Sequence, residues 1–297
     1  MSVSPTEERN PHTVYIDQLP TIEMLRLINA EDRKVAPAVA AMLPRLAEAV
    51  DLAVAALRSG HRMHYFGAGT SGRMAVLDAA ELHPTFGVGH DQVIAHIAGG
   101  PSALILAAEG AEDDVELGAA AAAEVGAGDV ALGATASGGT PFVGGALRAA
   151  RSRGAATVLV SANPAAPLAV LADVHIAVDT GPEAITGSTR MKAGTAQKLV
   201  LNALSTAVMV RLGRTYSNLM TDMVASNSKL RDRQIRMLAQ ATGLPMQACT
   251  TALADAGGES KVALVSLLAQ APVAQARRVL ENTGGVVHAA LDELRHS

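Results

Sequence analysis

Tryptophan is absent from this chain, and phenylalanine and tyrosine number three each among 297 residues. A core so poor in rings must be filled by alanine, valine, leucine and methionine, with closely packed helices. Cysteine occurs once, at Cys249, so a disulfide framework and a thiolate metal cluster are both excluded within the chain. No stretch approaches the ~18 uninterrupted apolar residues of a membrane-spanning helix. No basic segment followed by an apolar one opens the chain, so no secretory leader is expected. Positive charge is not in excess either. Lys and Arg total 24 against 28 Asp and Glu, a net charge of −4, which offers no broad basic field to nucleic acid or an acidic membrane. Any anion must be bound locally, by backbone amides and a few placed cations. What remains is a globular composition, 49% hydrophobic and 18% charged, and a cytoplasmic protein is expected. The length suits two domains, or one large domain with an appendage.

Residues 1–20 carry Pro5, Pro11 and Pro20 and read as an arm. Thr21 to about Arg58 is helical in pattern, with interruptions near Pro37 and Pro44. The rhythm then changes. Arg62–Phe66, Gln92–Ile97, Asp129–Ala134, Thr157–Ser161 and Val174–Val178 read as strands. Met74–Glu81, Ser102–Glu109, Val115–Val125 and Phe142–Arg153 read as intervening helices, with a short one after Pro164. His83–Gly87 reads as an ordered turn. Strands alternating with helices predict an α/β fold, a three-layer sandwich around a five-stranded parallel sheet. Residues 190–242 are strongly helical in pattern, and the tail from about 244 reads as three or four short helices. The expected division is an N-terminal arm with helices (1–58), an anion-binding α/β domain (59–242) and a small helical domain (243–297). No period of 20–50 residues repeats, which excludes a solenoid.

Three segments carry the chemistry. Gly67-Ala68-Gly69-Thr70-Ser71-Gly72-Arg73 follows the first strand and opens a helix. Glycines allow close backbone approach, and a helix start offers unpaired N–H groups and a positive dipole end, which suit an anion. The spacing also fits a dinucleotide fingerprint, but that pattern expects an acidic residue closing the second strand. Here the second strand ends in Ala98-Gly99-Gly100. The hydroxyls of Thr70 and Ser71 favour a phosphate monoester. A tight turn would explain one such loop. The second segment, Ser137-Gly138-Gly139-Thr140, again lies between a strand and a helix. The third, Thr186-Gly187-Ser188-Thr189-Arg190-Met191-Lys192, opens a long helix and brings two cations. Three hydroxyl-rich helix starts point to a phosphorylated small ligand.

Carboxylates are the candidate proton-transfer groups. Glu81 ends the helix that begins at the first segment, which carries it ~15 Å along the axis from that segment. It would serve the far end of an extended ligand, or a site shared with a second subunit. Glu109-Gly110-Ala111-Glu112-Asp113-Asp114 is an acidic cluster that also reads as a solvated loop capping a helix. Glu183 precedes the third segment and is a further candidate. His64, His96 and His175 fall in strands as core or rim groups, while His12, His61, His90, His288 and His296 look exposed. No metal-ligand spacing appears, and no cofactor is expected.

Several of these segments resemble the N-acetylmuramic acid 6-phosphate etherases. They are Tyr65–Arg73 with Leu77-Asp78-Ala79-Ala80-Glu81, then Ala98–Gly100, Glu109–Asp113, Thr186–Lys198 and Asn218–Met220. The likeness runs from Ile16 into the tail, and the Thr186–Lys198 motif is highly specific. The first motif alone would fit any sugar-isomerase (SIS) domain. The resemblance implies an SIS fold, a homodimer, N-acetylmuramic acid 6-phosphate as substrate, and N-acetylglucosamine 6-phosphate and D-lactate as products, in cell-wall recycling. It implies that Glu81 and Glu112 are catalytic. Gly69, Thr70, Ser71, Gly72, Arg73, Ser137, Gly138, Gly139, Thr140, Glu183, Ser188, Thr189 and Lys192 are expected to bind substrate. The family carries arginine in the middle of the second loop, where this chain has Gly139, so part of the polar contact there should differ. An isomerase on the same fold would share the loops but need no acid for a leaving group. A non-catalytic sugar-phosphate sensor is disfavoured by the retention of Glu81 and Glu112, and its DNA-bound form by the lack of a basic helix-turn-helix.

Overall fold

The computed structural model describes residues 4–223 and 228–296. Residues 1–3 of the expected arm, 224–227 of the expected helical stretch and the terminal 297 lie outside the described residues. The arm contains two 3-10 turns, Pro5–Glu7 and Ile16–Gln18. Three helices follow, α1 (Thr21–Asp32), α2 (Val35–Ala41) and α3 (Leu43–Arg58). The breaks fall at Arg33–Lys34 and Met42, not at the prolines. Pro37 and Pro44 sit in first turns, where the missing N–H has no intrahelical partner to lose. The buried face of α3 is Leu46, Ala49, Val50, Ala53, Val54 and Leu57, a helical stripe that packs on the sheet.

Five parallel strands form that sheet in the order β2-β1-β3-β4-β5. They are β1 (Met63–Gly67), β2 (Val93–Ile97), β3 (Val130–Ala134), β4 (Ala156–Ser161) and β5 (Val174–Ala177). β1 and β3 are buried along their whole length, as expected of strands covered on both faces. The crossover helices are α4 (Gly69–Phe86), α5 (Val115–Ala121) and α6 (Pro141–Ser152). After β5 come α7 (Lys192–Arg211), a two-stranded hairpin of β6 (Thr215–Tyr216) and β7 (Leu219–Met220), and α8 (Ser228–Thr242). Four helices close the chain: α9 (Met246–Asp255), α10 (Ser260–Ala269), α11 (Val273–Asn282) and α12 (Val287–His296).

Four local expectations are corrected. The turn expected over His83–Gly87 is helix as far as Phe86, with Pro84 inside its last turn. Gly87, at φ +64°, then ends α4 by donating its N–H to the His83 carbonyl at 2.9 Å. The helix expected over Ser102–Glu109 is only a 3-10 turn, Pro101–Leu104, followed by loop and a second turn, Ala111–Asp113. Leu104, Ile105 and Leu106 are 39%, 87% and 68% exposed, so the run buries little beyond Ala103, too narrow a face to hold so short a helix. α5 stops at Ala121, four residues short of the expected end. The stretch 190–242 is interrupted by the β6–β7 hairpin, turned at Ser217 with φ +52°.

The chain divides into two compact units. The first is Met1–Ala79 with His90–Ser205, and the second is Ala80–Gly89 with Thr206–Ser297. The second unit thus begins well before residue 243, because Met237 and Leu238 of α8 share one apolar cluster with Cys249, Leu253, Leu264, Val279 and Leu291. In the first unit α5 and α6 touch through backbone. A Cβ built on Gly118 would collide with the Phe142 carbonyl, and one on Gly145 with that of Val115.

Candidate active site

The sheet order reverses at β1, which pairs with β2 on one side and β3 on the other. Gly67 lies between Ile97 and Ala134 in register. The chain segments that follow β1 and β3 therefore leave the carboxyl edge as neighbours, at the switch point where open α/β sheets bind ligands. The first turn of α4 is pressed onto this edge. A Cβ on Gly67 would lie 2.7 Å from the Gly72 nitrogen, and one on Gly72 would lie 2.6 Å from Ile97 Cγ1. Both positions require glycine for close approach rather than for an unusual φ. The Gly72 N–H bonds the Ala68 carbonyl at 3.2 Å, so those of Gly69, Thr70 and Ser71 precede the first intrahelical acceptor. Gly69 is exposed, Thr70 and Arg73 are half-buried, and Ser71 and Gly72 are buried.

A cavity of about 210 Å³ opens at this helix start. Gly69 and Arg73 line one side, and Glu109, Gly110 and Glu112 line it from the 101–113 loop, with alanines between them. The fold thus brings the first predicted loop and one predicted catalytic carboxylate to a single space. Arg73 does not stand free beside it. Its Nε donates to the Leu104 carbonyl at 3.1 Å and its Nη2 to that of Leu106 at 3.3 Å.

The second loop is tied by its own hydroxyls. Thr135 Oγ1 and Thr140 Oγ1 are 2.8 Å apart, the Gly138 N–H donates to Thr135 Oγ1 at 3.3 Å, and the Gly139 N–H donates to Ser137 Oγ at 3.2 Å. Ser137 Oγ also lies 3.4 Å from Thr135 Oγ1, which closes the loop's hydroxyl network. Asn163 on the neighbouring connection donates to the Ser137 carbonyl at 2.9 Å. Gly138, at φ +74°, lies where a Cβ would collide with Ala166.

The third segment meets the first. Thr70 Cγ2 lies 3.2 Å from where a Cβ on Gly194 would be, so the starts of α4 and α7 touch. Ser188 and Thr189 lie half-buried in the turn before α7. Glu183 is fully buried, and its carboxylate accepts from the backbone N–H of Lys192 and of Ala193, each at 2.9 Å. The anion at the α7 start is therefore supplied by the chain itself. Burial pushes the Glu183 carboxyl upward, against the pull of those two amides. Lys192 is 1% exposed, and its Nζ pairs with Glu31 Oε2 at 2.6 Å. Burial alone would raise the Glu31 carboxyl, but hydrogen bonds from Lys192, Lys34 and Asn10 bring it down to about 2.

Glu81 is exposed, on the part of α4 that belongs to the second compact unit. His64 and His96 stack beside Phe66, with His64 Nδ1 and His96 Nε2 3.2 Å apart. Burial lowers both, His96 to about 4. His175 bonds Ser161 at 2.8 Å. Sequence reasoning missed Glu31 and Asn163, which support the third and second segments. Neither lies in a glycine-rich motif, and only the tertiary fold links them to one.

Two family models match. One, described as the glucokinase regulatory protein N-terminal SIS domain, covers residues 45–151, and one described as the SIS domain covers 108–207. The N-acetylmuramic acid 6-phosphate etherase of Thermobifida fusca is 61% identical over 265 residues, 89% of this chain and 87% of that protein. That of Pectobacterium atrosepticum is 52% identical over 288 residues, 96% and 95% of the two chains. Among solved structures, a phosphoheptose isomerase from Francisella tularensis superposes with a TM-score of 0.52 at 18% identity, over 65% of this chain and 100% of that one. This last likeness concerns the fold alone.

Proposed function

From the premise that this chain belongs to the N-acetylmuramic acid 6-phosphate etherase family, we propose how its residues divide the work of the reaction. The chain is a carbon–oxygen lyase on an SIS-type α/β fold. It converts N-acetylmuramic acid 6-phosphate to N-acetylglucosamine 6-phosphate and D-lactate. In our reading the phosphoryl group lies against the amides of Gly69, Thr70 and Ser71, with the hydroxyls of Thr70, Ser71, Ser137 and Thr140 as further donors. Ser188 and Thr189 approach from the start of α7. Glu183 and Lys192 then act behind the site, by fixing that start. The open backbone at Gly139 leaves room where a longer side chain would reach the ligand.

An ether does not break readily in water, because an alkoxide is a poor leaving group. Opening the sugar ring places an aldehyde at C1 and acidifies the C2 proton. Glu112 takes that proton. The released pair forms the C2–C3 double bond, and the C3–oxygen bond breaks. The departing lactyl oxygen takes a proton from Glu81. Water then adds at C3, giving a proton to Glu81, while Glu112 returns its own to C2. Proton transfers of this kind contribute about 10²–10⁴ each in rate. The observation that carries this reading is the shared cavity, lined by the start of α4 and by Glu112.

The same reading includes a homodimer. Ile22 and Leu25 of α1 are 54% and 55% exposed, and Leu43 at the head of α3 is 53% exposed, which gives this helical region apolar surface to bury. A cytoplasmic setting follows from the family alone. The reaction is tested by lactate release in ¹⁸O-water, with label expected at C3 of the product sugar. The division of roles is tested with Glu81→Ala in deuterated water. Exchange at C2 without lactate release is expected, and loss of both would overturn the assignment.

A further inference from the structure

We propose that Arg73, although it sits in the phosphate-binding motif, is a positioning residue for the acidic loop and does not touch the phosphoryl group. The inference rests on the etherase reading of the cavity. A guanidinium carries its N–H donors in a rigid planar fork. Here Nε and Nη2 are directed at two carbonyls two residues apart, those of Leu104 and Leu106, at 3.1 Å and 3.3 Å. Those carbonyls belong to the segment that leads into Glu109, Gly110 and Glu112 on the cavity wall.

Between Ala103 and Ala108 the segment has no other side-chain tie of its own among the hydrogen bonds of the described residues. Leu104, Ile105 and Leu106 all point into solvent, Ile105 at 87% exposure. Its turn bonds are local, from the Ala103 N–H to Gly100 and from the Leu106 N–H to Ser102, each at 3.0 Å. Beyond Gly110, at φ +75°, the chain is caught again where Ala111 packs on the core cluster of Phe142 and Ala146. Ala103, 3% exposed, and Ala108 pack at Gly99, and two further ties hold the stretch between them and the cavity wall. One is the packing of Ala111, and the other is the grip of Arg73 from the first turns of α4. Because the same helix start lines the cavity at Gly69, Arg73 ties the acidic wall of the site to the wall formed by α4.

The two possible roles of Arg73 move different constants. The full-length protein is assayed as wild type, Arg73→Lys and Arg73→Ala, with lactate release, competition by inorganic phosphate, and amide hydrogen exchange over 102–113. A loop free to shift by an ångström loses on the order of 10²-fold in rate. The expected result for Arg73→Ala is therefore a kcat down by about 10–100-fold, with KM and phosphate inhibition little changed. Exchange over 102–113 should quicken while β1 and β3 stay protected. Arg73→Lys, which keeps the charge and loses the fork, should show the same pattern in weaker form. If Arg73 gripped the phosphoryl group, phosphate inhibition and KM would weaken together by ten-fold or more, kcat would hold, and loop exchange would not change. That result, or wild-type kinetics in both variants, overturns the proposal. If Arg73→Ala does not fold, loop exchange and the kcat-against-KM split in Arg73→Lys decide alone. Failure of the wild type to release lactate would sink the etherase reading instead, and the exchange measurement would still judge the role of Arg73.

Discussion

Replacing Glu31 by glutamine leaves the buried Lys192 ammonium without its ion-pair partner. The carboxylate is 4% exposed and the ammonium 1%, at 2.6 Å, and Lys34 holds the other carboxylate oxygen at 2.6 Å. Breaking a buried pair from one side costs about 3–5 kcal/mol. Proton linkage gives an independent figure. A carboxyl lowered from 4.5 to about 2 in the native state contributes roughly 3 kcal/mol of stability at neutral pH. The sign is that of a depressed acid. The contribution is complete above pH 4.5 and is lost as pH falls toward 2. Urea unfolding of wild type and Glu31→Gln at pH 7, 5 and 3 should therefore show a gap of about 3 kcal/mol that is steady down to about pH 5 and closes in acid. Replacing both partners by methionine should restore most of the loss, since the uncompensated charge is then gone. A gap below about 1 kcal/mol at pH 7, or one that does not shrink in acid, would refute the reasoning.

Glu112→Gln should keep the fold and lower lactate release by about 10²–10⁴, measured as initial rate at saturating substrate. Gly145→Ala should destabilise by roughly 1–3 kcal/mol or more in thermal unfolding, because its Cβ would press on the backbone of α5, at the Val115 carbonyl and the Ala119 nitrogen, which cannot swing aside as a side chain can. Gly138→Ala combines a positive φ with a collision at Ala166. Calorimetry should show it less stable, and a raised KM should accompany the distorted loop. Burial lowers His96 to about 4, so its share of stability is present above pH 6.5 and fades as pH falls through 4. His96→Phe keeps an aromatic ring beside Phe66, and it should flatten the pH dependence of unfolding over that window.

Strands were the most legible elements, because sequences such as Met63–Gly67 are apolar or buried throughout and are flanked by glycine. The first turn of α4 was legible from its glycines, and the structure uses Gly67 and Gly72 for close approach. Pro84 misled in the other direction, since a proline late in a helix removes only one bond and need not end it at once. The loop at 102–109 misled because alanine and leucine favour helix, and local propensity cannot report that the leucines there have no surface to cover. The site was legible in kind more than in arrangement. That Glu112 lines the cavity beside Gly69 depends on how a fourteen-residue connection folds back, held by Arg73. Glu183 and Lys192 carry the charges expected of a ligand contact, yet their partners are backbone amides and Glu31. Charge at a helix start looks the same in sequence whether it meets a ligand or the chain itself.

The position of β1 in the middle of the sheet has a consequence for biosynthesis. Met63 pairs with Val130, and the sheet is complete only with Ala177. A ribosome adding 5–20 residues per second needs roughly 5–20 s to make the missing length after β1. During that interval a strand that is buried along its whole length in the finished fold has emerged with both its edges unsatisfied. Nascent chains of this protein should therefore lean on holdase chaperones, and slowing translation after Gly67 should cost yield rather than improve it.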